Sequence, residues 1–159
     1  MLLGKVASII RQSIIMGFSM QKGNISDDVE NIIFTTISAT GVISGIARGS
    51  NQCALGHKFY EITRKLFPDA SMPYLHGEIV GVGLILQNHF NGEQENNVSL
   101  IELMNKNNMP STVGEIAVSC DDVTFEKYYE LLCNSSAIDK NNNDECTKLR
   151  LSLRYLWNL

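Results

Sequence analysis

The sequence predicts an all-α protein, a helical bundle with no sheet of more than two short strands. Three observations carry that expectation. Segments between chain breakers run ten to twenty residues, a helical rather than a strand length. Capping residues such as Ser26 and the Asn141-Asn142-Asn143-Asp144 run stand just ahead of several of them. A sustained apolar-polar alternation, the mark of half-buried strands, is missing.

Taken in order, a first amphipathic helix is expected from about Leu2 to Gln21, ended by Gly23-Asn24. A second follows Ser26, where Asp27, Asp28 and Glu30 suit the positive end of the helix dipole. It continues through IIFTTISATGVISGIA, where Gly41 and Gly45 allow close packing or a kink. Arg48-Gly49-Ser50-Asn51 reads as a turn, and a third helix runs past His57 to about Leu66. The segment PDASMP, residues 68 to 73, stops it and reverses the chain. A fourth helix opens near His76 and includes GEIVGVGLILQNHF, which has almost no polar face and belongs in the core. Beyond Asn91 come shorter amphipathic segments, at 98–105, 123–133 and 145–157, separated by polar breaks. The stripe Phe125, Tyr128, Tyr129 and Leu132 is read as helix core, and Lys148, Arg150 and Arg154 as charges that suit the last helix's dipole without needing a partner.

Composition narrows the function classes. Apolar residues make up 44% and charged residues 19%, so 159 residues are expected to form one globular domain with one core. The net charge of -4 includes no basic stripe, which argues against nucleic acid as a partner. Lys5 and Arg11 interrupt the apolar N-terminal run before it reaches signal-peptide or spanning length, so no membrane association is expected. Cys53, Cys120, Cys133 and Cys146 form no C-x-x-C pair and are read as free, reduced thiols. The expected compartment is the cytoplasm.

Only three histidines are present. His57 lies about nine residues before the end of its helix, roughly 14 Å at the helical rise. The stretch from Phe67 to Leu75 can reach on the order of 28 Å, enough to bring His76 back to the level of His57. Two imidazoles on adjacent helices make half of a transition-metal site. Glu78 is then placed to accept from an imidazole and fix its tautomer. His89, in QNHFNG, has no such context and is read as a surface residue.

The runs GSNQCALGHKFYE and LHGEIVGVGLILQ, with a nineteen-residue step from His57 to His76, resemble the helical domain of the glycerol dehydrogenase and iron-containing alcohol dehydrogenase family. That family has the dehydroquinate synthase-like fold. The resemblance covers about Val29 to Ala117 and includes MPSTVGEI, which is similar to a short G-L-P-x-T-L stretch of the family. It implies that His57 and His76 bind zinc or iron. It implies further that a full-length relative transfers hydride between NAD and a small polyol or alcohol.

The chain departs from the family in several places. The third metal ligand, an Asp far upstream of the first His, has no counterpart in the 56 residues before His57, and Asp27 and Asp28 lie too near. No Gly-rich nucleotide-binding half is found, so neither a catalytic residue nor an NAD-binding residue is assigned. Tyr60 and Glu61 stand where a second family histidine is often found, which argues against dehydroquinate synthase itself as the member resembled. Cys53 or Glu61, each four residues from His57 on one helical face, could replace the missing ligand. The resulting expectation is the helical metal-binding domain of a metal-dependent NAD dehydrogenase, incomplete and inactive alone, with metal held weakly or not at all. Its partner would be a second copy or a missing nucleotide-binding half. The alternatives are a truncated, non-catalytic binding or assembly module, or a domain of the dehydroquinate synthase type.

Overall fold

The computed structural model describes residues 54–159, together with Phe34 and Ser38, which are helical. Residues 54–159 lie in a compact unit spanning Cys53–Leu159; the other unit is Met1–Gln52. The expected first helix, most of the second, the Ser50-Asn51 cap and Cys53 fall outside the described residues. The expected single domain over 1–159 likewise extends beyond the described residues.

Among the described residues there are six α-helices and no strand. They are α1 (Leu55–Leu66), α2 (Pro68–Ser71), α3 (His76–Asn91), α4 (Glu95–Lys106), α5 (Asp122–Cys133) and α6 (Asn143–Trp157), with a 3-10 turn at Gly114–Ile116. The all-α expectation is met, and the boundaries at Leu66, Cys133 and Trp157 agree with the sequence reading. None of these helices is long and apolar enough to cross a membrane.

Pro68 stands at the first position of α2, where its missing N–H is no loss, so PDAS forms one short helical turn rather than a plain loop. α3 is the central element. Its Ile79, Val82, Ile85 and Leu86 are fully buried, as expected of a helix without a polar face. It ends at Gly92, whose φ of 78° is the left-handed conformation that glycine adopts at little cost. α1, α4 and α6 pack on it, and α5 packs on α1 and α6.

α1 and α3 meet backbone to backbone. A Cβ added to Gly83 would lie 2.6 Å from the Gly56 carbonyl oxygen and 2.8 Å from its Cα, so only glycine fits there. The Gly56 N–H, a helix-start donor with no partner within α1, donates to Gln87 Oε1 at 3.2 Å. The α3–α4 contact is polar at its centre: buried Asn97 donates to the Ile85 carbonyl at 3.0 Å and accepts from Asn88 at 2.9 Å.

The remaining core is aromatic. Tyr128 of α5 packs on Phe59 of α1 at 5.3 Å and on Trp157 of α6 at 5.1 Å. Its hydroxyl donates to Thr63 Oγ1 at 2.9 Å, and burial pushes the phenol far above its ordinary pKa, so it remains a donor. Phe125 and Leu132 are buried beside it and Tyr129 is half-buried, as the stripe predicted.

α5 and α6 start on side-chain caps. Asp121 Oδ1 accepts from the Thr124 N–H, and Asn142 Oδ1 from the N–H groups of Asp144 and Glu145. The cations of α6 do have partners, contrary to the sequence reading. Arg150 makes a two-point contact with Glu126 at 2.6 and 2.9 Å and lies over the Tyr129 ring. Arg154 reaches Asp122 at 3.2 Å and lies over Phe125, and Lys148 lies over Phe90. A pairing between two helices separated by a loop is invisible to a dipole argument made on one of them.

Candidate metal centre

His57 sits in the first turn of α1, next to the Gly56–Gly83 contact, and His76 is the first residue of α3. The glycine contact brings the two helix axes close, and the turn at 67–75 returns the chain to the start of α3. The imidazole centroids lie 5.4 Å apart with ring planes at 50°. Both residues are exposed. With a metal–nitrogen distance of about 2.1 Å, two imidazoles on one tetrahedral ion place their centroids about 5 Å apart. The spacing therefore fits a shared ion.

Two further residues of α1 act on His76. The Tyr60 ring meets it edge-on, 4.4 Å between centroids and 75° between planes. Arg64 lies over Tyr60 at 5.4 Å and donates to the backbone carbonyls of Ser71 at 2.5 Å and Tyr74 at 2.6 Å. His57, Tyr60 and Arg64 follow the i, i+3, i+7 spacing of one helical face. Arg64 thus fixes the turn that delivers His76, a role the sequence reading missed. Its only sequence signal is that spacing.

Other expected contributors do different work. The Glu78 carboxylate accepts from the Leu75 N–H at 2.6 Å, closing the start of its own helix instead of meeting an imidazole. Glu61, one candidate for the missing ligand, pairs with Lys58 at 2.7 Å. Cys53, Asp27 and Asp28 lie outside the described residues. Among the described residues no three His, Cys, Asp or Glu side chains are grouped as a metal site would need. Two imidazoles alone leave a tetrahedral ion with two positions to be filled by other groups.

His89 was expected at the surface, and it is partly covered there. It is half-buried, its Nδ1 lies 2.9 Å from Ser152 Oγ, and its ring stacks on Tyr155 at 4.5 Å. Burial lowers its pKa below the ordinary imidazole value. It joins α3 to α6. The polar QNHFNG context suggested solvent because it is polar along the chain, while α6 arrives from more than sixty residues away.

Beside the start of α3 lies a cavity of about 390 Å³. Tyr74 and Glu78 line one side, and Asn105, Asn108, Met109, Pro110 and Glu115 the other. The two stretches LHGEIVGVG and MPSTVGEI, far apart in sequence, thus contribute to one hollow of mixed polar and apolar lining. Glu115 is tied down there, accepting from the N–H groups of Ser111 and Thr112 at 2.7 and 3.2 Å. No family model, no curated protein and no solved structure matches the chain.

Proposed function

We propose that this chain is the helical, metal-binding part of an NAD-dependent polyol or alcohol dehydrogenase of the glycerol dehydrogenase type, with a dehydroquinate synthase-like helical domain. The observation that carries the reading is the 5.4 Å separation of the His57 and His76 rings on two helices in glycine contact. The sequence resemblance supplies the type of chemistry. A bound zinc or ferrous ion supplies Lewis acidity, lowering the pKa of an alcohol hydroxyl before hydride departs.

The chain's own residues bind and orient. His57 and His76 hold the ion. Tyr60 holds the His76 ring from its edge, and Arg64 holds the turn behind it. A small polyol suits the hollow lined by Asn105, Asn108, Glu78 and Glu115, whose amide and carboxylate groups match hydroxyls. NAD and the remaining metal ligand would come from a nucleotide-binding partner, and Met72 and Leu75, both more than 70% exposed on the turn leading to His76, offer an apolar docking surface for it.

The test compares the pure 159-residue chain with the assembly isolated from the native host. The chain alone should produce no NADH from glycerol. The native assembly should do so, and a chelator should abolish it. A native assembly that makes no NADH from any small polyol or alcohol, or whose NADH production survives the chelator, would overturn the reading.

A further inference from the structure

α5 ends at Cys133 and α6 carries Cys146 in its first turn. Their sulfur atoms lie 3.1 Å apart, although the residues are thirteen positions apart in sequence. A disulfide needs about 2.05 Å between sulfurs, so an approach of about 1 Å, within the reach of a small side-chain rotation, would close the bond.

The intervening loop keeps the two thiols in place. Ser135 Oγ donates to the Leu132 carbonyl at 2.7 Å, and the Asp139 N–H donates to Glu145 Oε2 at 2.9 Å. Asn142 caps α6 just before Cys146. Cys146 Sγ also lies 3.7 Å from the Lys140 carbonyl. Both cysteines are half-buried and open enough for a small reagent.

We propose that Cys133 and Cys146 are a redox modification site that closes to a reversible intramolecular disulfide, with a low-molecular-weight disulfide of the glutathione class as oxidant. One protein thiolate attacks a sulfur of the small disulfide and expels a small thiolate, leaving a mixed disulfide. The second protein thiolate attacks the protein sulfur of that bond and expels the other small thiolate. The protein gives up two electrons and two protons, and the small disulfide becomes two thiols. The hydrogen bond to Cys133, followed by burial, raises the Cys146 thiol above its ordinary pKa, with Glu145 and Asp139 adding to the effect. A raised pKa lowers the thiolate fraction of Cys146.

The full 159-residue chain is equilibrated in glutathione buffers from fully reduced to fully oxidised, acid-quenched, alkylated and mapped by mass spectrometry. The expected main oxidised product links the Cys133 and Cys146 peptides, is two hydrogens lighter, and reopens with dithiothreitol. Its melting temperature should rise by roughly 10–15 °C over the reduced chain, because a short loop is closed in the unfolded state. Cys133→Ser and Cys146→Ser should abolish that rise. The peptide map of the unaltered chain carries the test should either variant fold poorly. Stable glutathione adducts without the link, no product at all, or main links to Cys53 or Cys120 would each overturn the proposal.

Discussion

Replacing Gly83 by alanine probes the contact on which the arrangement of α1 and α3 depends. The new Cβ would stand 2.6 Å from the Gly56 carbonyl oxygen and 2.8 Å from its Cα. Both obstacles are backbone, so no side-chain rotation relieves them. An ordinary contact needs about 3.4 Å or more, so the helices must separate by somewhat under 1 Å. Overpacking of this kind costs about 1–3 kcal/mol. Stretching the Gly56–Gln87 hydrogen bond adds about 1 kcal/mol. Alanine's better helix propensity returns about 1 kcal/mol. The net loss is about 1–3 kcal/mol, or roughly 5–15 °C in melting temperature for a unit of this size. Gly77 on the same helix is the control, since an added Cβ there meets nothing within 4 Å. Gly77→Ala should be neutral or stabilising by up to about 1 kcal/mol. Urea unfolding of both variants measures the difference. A Gly83→Ala protein as stable as the Gly77→Ala protein would refute the close glycine contact.

Other expectations follow from the same contacts. Burial lowers the folded-state pKa of His89, so the unfolded chain takes up that proton first. The neutral ring's contribution is whole above pH of about 6.5 and is lost as pH falls through the lowered value. Accordingly, the stability gap between the unaltered chain and His89→Gln should narrow from pH 8 to pH 5; a constant gap by denaturant titration would refute the burial argument. Asn97→Ala leaves the Ile85 carbonyl and the Asn88 amide without their partner and should cost about 2 kcal/mol by urea unfolding. Arg64→Met removes two charge-assisted bonds to the turn at 67–75 and should speed amide hydrogen exchange at residues 72 to 76, with α6 unchanged.

What the sequence made legible was local. Helix ends showed through Pro68 and the Asn142 cap, because each acts within one turn of itself. The core face of α3 showed because GEIVGVGLILQ has no polar side to expose. The approach of His57 and His76 followed from helix rise and the reach of the intervening turn. What stayed hidden depends on partners far along the chain. His89 meets Ser152, Arg150 meets Glu126, and Cys133 meets Cys146 across loops or other helices, and no periodicity records such pairings. Glu78 was misread for a related reason: its nearest unsatisfied donor was the Leu75 N–H of its own helix, not an imidazole.

The proposed sharing of one divalent ion by His57 and His76 is tested by a zinc titration of the 159-residue chain, followed through the side-chain nitrogen resonances of its three histidines. The rings of His57 and His76 should shift together with one midpoint, while His89, held between Ser152 and Tyr155, stays unmoved. Affinity should be weak, with the ion removed by dialysis, since two imidazoles supply only half of a tetrahedral set. In His57→Ala the His76 shift should disappear, and the converse should hold in His76→Ala. Resonances of His57 and His76 that stay fixed to millimolar zinc, or that move with separate midpoints, would contradict the claim.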